Sequence, residues 1–122
     1  MNTMGELSII GAGGFAAEVL EAAELAGWSV TNLYDDDVAT HGSDVMGKPC
    51  VGKVDQFLER GASRFIFAIG NNQVRHDLAA RLEAAGHQGA RVIHPSAEVS
   101  RTAIIQDAAY IGAGSFVGPQ VS

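Results

Sequence analysis

The chain has 122 residues, 47% of them apolar and 18% charged, and a formal net charge of −6. That length suits one ordinary domain, and the composition permits a core and argues against bulk disorder. The acidic balance, with eight Lys and Arg scattered singly, lacks the basic patch that nucleic acid or an anionic membrane calls for. No run approaches the ~18 apolar residues of a membrane span, and the N-terminus MNTMGELSII lacks the positive flank of a signal peptide. A single cysteine, Cys50, excludes an internal disulfide and a cysteine-built metal site. A cytoplasmic protein with no bound metal, no nucleic-acid partner and no membrane partner is expected.

Leu7 to Ile10 forms a short apolar run ending in glycines, which predicts a buried strand and a tight turn. The strong helix formers from Phe15 to Ala26 predict a helix, ended by Gly27. Trp28 to Asp37 reads as a second strand closing in an acidic turn at Asp35–Asp37. This is a β–α–β unit, which makes parallel strands with a right-handed crossover. Residues 38–53 read as a loop with a short extended piece at Pro49–Val51, and residues 54–61 as a short helix. Arg64 to Gly70 is the most strand-like run. Asn71 or Asn72 then caps a helix with Val74, Leu78, Leu82 and Ala85 on one face, ended by Gly86. Residues 89–95 predict a last strand. The expected fold is a small Rossmann-like parallel sheet with helices on both faces, over residues 1–95.

Gly11, Gly13 and Ala16 stand in G-x-G-x-x-A spacing between the first strand and the first helix, with Asp35 and Asp36 at the end of the second strand. Gly11 permits the tight turn, Gly13 lets phosphates approach the backbone, and Ala16 lets the helix pack close. The free amides at the helix start suit a pyrophosphate. A carboxylate at Asp35 or Asp36 suits ribose hydroxyls or the N–H edge of a base. The alternative is a tight turn and a solvated acidic turn without a ligand. Gly70 ends a central strand and is expected to face the same crevice; Asn71 and Asn72 either bond a ligand there or cap the helix.

From Val99 the chain repeats every six residues: Val99, Ile105, Ile111 and Val117 open the blocks, and Ala103, Ala109, Ser115 and Val121 hold the fifth place. Aliphatic at the first place and small at the fifth is the pattern of a left-handed parallel β-helix, three hexads to a triangular coil. An alternating edge strand with glycine turns is the simpler alternative. Residues 96–122 are therefore expected to begin such a β-helix. Four hexads make little more than one coil, short of the roughly three needed for a free-standing solenoid. The expectation is a chain that is the front part of a longer β-helix protein, or coils that dock on the sheet domain or other subunits.

The stretches IIGAGGFAAEVLEAAELAG, LYDDD, GKPCVG, FIFAIGNN, RLEAAG and VIHPSAEVS, followed by the hexads, resemble in order the sugar O-/N-acetyltransferases of the sialic-acid-acetylating and bacterial N-glycan types (NeuD/PglD-like). The resemblance implies an N-terminal domain that binds a nucleotide-activated amino sugar, commonly UDP-linked, with acetyl-CoA lying between prisms of a homotrimer. By position it implies substrate contacts at Gly13, Gly14 and Phe15, nucleoside contacts at Asp35 and Asp36, and a third contact at Gly70. Ala17 departs from the basic residue that such proteins often carry there. Their general base is a histidine in the β-helix beyond Ser122, so the resemblance assigns no catalytic residue here. The 122-residue chain is accordingly expected to bind nucleotide-sugar without turnover, as a monomer or weak oligomer. His94 is expected to be structural, His41, His76 and His87 to lack evident partners, and Cys50 to be a small buried residue. Two rivals share the glycine and acid spacing: an NAD-type dinucleotide-binding module, and a non-catalytic nucleotide-sugar-binding or assembly domain.

Overall fold

The computed structural model describes residues 4–119. Its elements in chain order are β1 (Gly5–Ile10), α1 (Ala16–Leu25), β2 (Trp28–Tyr34), a 3-10 turn (Val38–Thr40), β3 (Asp44–Val45), β4 (Lys48–Gly52), α2 (Val54–Leu58), β5 (Arg64–Phe67), α3 (Asn72–Ala84), β6 (Gln88–Gly89), β7 (Val92–Ile93), β8 (Glu98–Val99), β9 (Tyr110–Ile111) and β10 (Phe116–Val117). Six strands form one sheet in the order β3-β4-β2-β1-β5-β6. All its pairings are parallel except β3 with β4. The chain moves outward from β1 to β2 and β4, then crosses back to β5 on the other side of β1. The carboxyl ends of β1 and β5 therefore flank the point where the connections diverge, which is where open sheets of this kind hold ligands.

The period-two alternation of β1 divides the core. Leu7 and Ile9 face α1, packing with Ala16, Val19, Leu20 and Ala23, while Ile10 faces Val54 and Phe57 of α2 and Leu78 and Leu82 of α3. On that second face an edge-to-face series runs through Tyr34, Phe57, Phe65 and Phe67. Ser8 is buried on the central strand; it donates to Asn32 Oδ1 at 3.0 Å and accepts from the Arg60 guanidinium at 3.3 Å. The expected helices on both faces are thus present.

Several local expectations are corrected. In residues 38–53 the extended piece expected at Pro49–Val51 is the middle of β4, a full strand of the sheet that pairs Leu33 with Cys50, so the segment is less of a loop than expected. It is reached through a two-residue hairpin at Met46 and Gly47, both at positive φ, as the tight right-twisted turn requires. β5 stops at Phe67, and α2 at Leu58. On α3 only Leu78 and Leu82 are buried; Val74 and Ala85 are exposed. His87, expected to lack a partner, is buried: its Nδ1 accepts from the Ser63 amide at 3.2 Å, and its Nε2 lies 3.3 Å from the Leu58 carbonyl. His41 also has a partner, with Nε2 2.7 Å from the Asp35 carbonyl oxygen. Cys50 is buried, as expected.

The expected strand over 89–95 is divided between two neighbours. Gly89 pairs with β5, whereas Val92 and Ile93 pair with Tyr110 and Ile111. β8 pairs with β10 in the same way, Glu98 with Phe116 and Val99 with Val117. Both pairings are parallel and join residues eighteen places apart, which is three sixes. Amides of Val92, His94, Glu98 and Ser100 close these rungs at 2.8–2.9 Å. Val99, Ile105, Ile111 and Val117 are all partly buried, while Ile104 and Phe116, at the sixth place, are exposed. Val121 lies outside the described residues.

Residues 106–110 seat this second unit on the sheet. A Cβ on Gly89 would lie 2.6 Å from that of Ala108, and Arg91 pairs with Asp107 at 3.1 Å. Gly89→Ala is expected to lower unfolding stability by about 1–2 kcal/mol through this overpacking, read by equilibrium urea denaturation. An unchanged midpoint would show that the seat has room.

Candidate functional site

Where β1 ends, Gly11 takes φ +119, and its amide donates to the Tyr34 carbonyl at 2.7 Å. A Cβ there would lie 2.6 Å from the Ala68 carbonyl oxygen. Only glycine permits this turn, which brings the chain across the ends of β2 and β5. Gly13 and Gly14 differ: nothing lies within 4 Å of where their Cβ would be. Phe15 caps α1 without any side-chain bond. The amides of Gly13, Gly14 and Phe15 make no hydrogen bond among the described residues. Bare amides at the positive end of a ten-residue helix are an anion-favouring arrangement.

All three carboxylates of the acidic turn are engaged by backbone, Asp37 Oδ1 accepting from the Ala39 amide at 3.0 Å. Asp35 Oδ2 accepts from the Ala12 amide and Oδ1 from the Asp37 amide, each at 2.8 Å. Asp35 thus ties the glycine turn to the end of β2. Asp36 Oδ1 accepts from the Val54 amide at the start of α2, at 3.0 Å. Its Oδ2 has no partner among the described residues. Between these turns opens a cavity of about 310 Å³, with Gly11, Gly13, Asp35 and Asp36 on its rim. Its walls are Ile10, Tyr34, Val54, Ile69, Val74 and Leu78. A largely apolar slot with a few polar groups at the rim is the usual form of a small-molecule site.

Four of the expected site residues, Gly11, Gly13, Asp35 and Asp36, therefore converge on one cavity. Gly14 stands beside it with its amide bare. Phe15 turns toward a neighbouring cavity of about 340 Å³ that also meets Arg75 and Tyr110. Gly70 is exposed with open space at its Cβ position and does not line the first cavity. Asn71 caps α3, accepting from the Val74 amide at 3.0 Å, and the Asn72 side chain bonds the Arg75 guanidinium. Sequence reasoning missed the apolar walls. The signal was present in Val74, whose helical spacing with Leu78 pointed it at the sheet, but at the crevice mouth where the core has already ended.

At the back of the helix start, Tyr110 donates to Glu18 Oε2 at 2.8 Å, and its ring meets Phe15 edge-on at 5.5 Å. Burial, the bond to Glu18, and the charges of Glu18 and Glu21 push the Tyr110 phenol up to about 12. The phenol is the donor, so the contact is intact below the ordinary tyrosine range near 10. It is lost only as pH rises through the raised value. A tyrosinate absorbance titration is expected to show a step near 12 that Tyr110→Phe removes; if the step removed by Tyr110→Phe lies near 10, the assignment fails.

His94 serves the junction. Its Nδ1 accepts from the Ser96 amide at 3.0 Å and lies 2.9 Å from Ser96 Oγ, which also accepts from the Gly114 amide. Among the described residues no helix is long and apolar enough to cross a membrane.

The parallel core β4-β2-β1-β5-β6, with a glycine turn after β1 and an acid at the end of β2, places the chain in the doubly wound, Rossmann-like class of α/β domain. More narrowly, the chain belongs to the PglD N-terminal domain family, whose profile matches residues 6–82. No curated protein sequence matches it. Among solved structures it resembles a variant of perosamine N-acetyltransferase from Caulobacter crescentus in complex with CoA and GDP-perosamine, with a TM-score of 0.83 and 32% identity, covering 96% of this chain and 56% of that one. PerB from Caulobacter crescentus, with the same two ligands, gives 0.82 and 34% over 96% and 56%. The acetyltransferase domain of PglB from Neisseria gonorrhoeae in complex with acetyl coenzyme A gives 0.76 and 30% over 91% and 54%. The chain thus spans little more than half the length of these relatives.

Proposed function

We propose that this chain is the nucleotide-sugar-binding part of an acetyl-CoA-dependent sugar N-acetyltransferase. The observation that carries the reading is the set of bare amides at Gly13, Gly14 and Phe15 opening beside the acid-rimmed cavity. In this reading the amides and the α1 dipole take the diphosphate. The cavity takes the nucleoside, its apolar walls against the base and the free oxygen of Asp36 toward an N–H or hydroxyl. The relatives with CoA and GDP-perosamine support a nucleoside-diphosphate amino sugar; guanine and uracil are both accommodated by this reading. Acetyl-CoA would supply an electrophilic thioester carbonyl, which the sugar amine attacks while the C–S bond breaks and CoA departs as the thiol.

The hexads are read as the start of a left-handed β-helix joined to the sheet domain near residue 95. The eighteen-residue register of both parallel pairs supports this reading. The exposed Ile104 and Phe116 support association of such prisms, as trimers, in the whole protein.

Calorimetric titration with GDP, UDP and NADH tests the reading. A nucleoside diphosphate is expected to bind. Gly13→Val is expected to weaken it at least about tenfold, since one blocked charge-assisted contact is worth roughly 1.5–3 kcal/mol. Gly13→Ala, whose Cβ meets nothing, is the control whose melting temperature should barely move. Binding of NADH with neither diphosphate bound would favour the dinucleotide alternative and sink this one.

A further inference from the structure

The sixth places of the first three hexads are Ile104, Tyr110 and Phe116. Ile104 and Phe116 there are 72% and 71% exposed, but Tyr110, at the same place in the second hexad, is partly buried against the first turn of α1. Its two contacts fall on particular residues. The ring meets Phe15, the residue that caps α1 and closes the glycine turn. The hydroxyl holds Glu18, one turn further on. Phe15 makes no side-chain bond to the helix start, and the carbonyl of Phe15 receives the Val19 amide at a long 3.3 Å. The inner face of this turn is anchored on the sheet by Ala16 and Val19, both fully buried, and by the Ala16 amide on the Gly13 carbonyl at 3.0 Å. On its outer face the brace comes from a residue more than ninety places away.

We propose that Tyr110 is a positioning residue for the diphosphate: through Phe15 and Glu18 it fixes the first turn of α1, and with it the direction of the Gly13, Gly14 and Phe15 amides. This rests on the functional reading above. The other contacts of the same segment, Ala108 on Gly89 and Asp107 with Arg91, seat the hexads on the far side of the sheet. They hold the two units together but do not touch the glycine turn. Tyr110 alone among these carries the placement of the second unit into the anion-facing turn. Because coupling is reciprocal, a diphosphate held by those amides also steadies the segment around Tyr110.

The test compares the wild-type chain with Tyr110→Ala, Tyr110→Phe and Glu18→Ala, each titrated with GDP, UDP and the parent nucleosides. Tyr110→Ala is expected to weaken the diphosphate about tenfold, within the usual range of site-to-site coupling, and to leave the nucleoside unchanged. Tyr110→Phe, which keeps the ring on Phe15, restores most of that loss. A purely structural residue would lower the melting temperature without changing the ratio of nucleoside to diphosphate affinity. Amide exchange by NMR supplies a readout that needs no ligand. In Tyr110→Ala the Val19 amide exchanges faster while those of Ile9 and Ile66 do not. If Tyr110→Ala fails to fold, Glu18→Ala, on the exposed side of α1, carries both measurements with a smaller loss of the same kind. An unchanged affinity ratio or an unchanged Val19 exchange rate overturns the proposal. If neither nucleotide binds the wild-type chain, the functional reading falls, and Val19 exchange alone decides whether Tyr110 fixes the turn.

Discussion

Gly11→Ala is expected to lower the free energy of unfolding by about 3 kcal/mol, combining the strain of a left-handed backbone with a backbone clash. Its φ of +119 is one that residues with a Cβ rarely adopt, and the new methyl would sit 2.6 Å from the Ala68 carbonyl oxygen. That oxygen cannot retreat cheaply, because the Ala68 amide is bonded to the Ile10 carbonyl at 2.8 Å, at the junction of the two central strands. Relief requires β1 and β5 to separate at their carboxyl ends, where the cavity opens. The comparison is Gly13→Ala, two residues on in the same turn, which is expected to stay within about 0.5 kcal/mol of wild type because its Cβ enters open space. Equilibrium urea unfolding of both variants distinguishes them. A loss below about 1 kcal/mol for Gly11→Ala would mean that the turn relaxes without cost to the strand pair.

Asp35→Ala is expected to cost about 2 kcal/mol, from the two backbone amides it leaves without an acceptor, and to weaken nucleotide binding as well. Its carboxylate ends both the Ala12 amide and the Asp37 amide. Removing it frees the glycine turn and the acidic turn together. Asp35→Asn retains one carbonyl oxygen and is expected to lose less on both counts. Asp36→Ala gives the contrast. Among the described residues Asp36 holds only the Val54 amide, and it lines the cavity, so its loss should fall mainly on ligand affinity. Urea unfolding and calorimetric titration of the three variants separate the contributions. Equal stability losses at Asp35 and Asp36 would show that Asp35 does not carry the turn.

This division of labour was not readable from the sequence. The spacing of Gly11, Gly13 and the acids pointed to one crevice because a strand–turn–helix is a local object, and its glycines and helix ends are set by near neighbours. Which of two adjacent aspartates faces inward depends on where Ala12 and Val54 arrive, and both are distant in the chain. The same limit blurred β4. The extended piece expected at Pro49–Val51 lies inside it, but Pro49 and Val51 stay exposed, so composition showed only a fragment; pairing with Leu33 makes the whole of Lys48–Gly52 a strand. Val74 and Ala85 kept the helical spacing of a core face, yet on α3 only Leu78 and Leu82 are buried, with Ala79 packed partly against their cluster. The hexads were visible as a period, but nothing in a period says which copy touches another unit. Tyr110 became a contact residue only because Phe15 and Glu18 stand opposite it.

The two kinds of pairing in this chain differ in the length of chain that must be closed. Ile9 meets Ile66 across fifty-seven residues, whereas Val99 meets Val117 across eighteen. The longer closure costs about 1 kcal/mol more in chain entropy, so joining β1 to β5 is the demanding step in assembly and the rungs of the repeat are the easy one. Ala108 packs against Gly89 and the Tyr110 ring against Phe15, so these two contacts need the sheet and α1 in place. The rungs can therefore close within the repeat itself, but its seat on the platform is complete only once the sheet has closed.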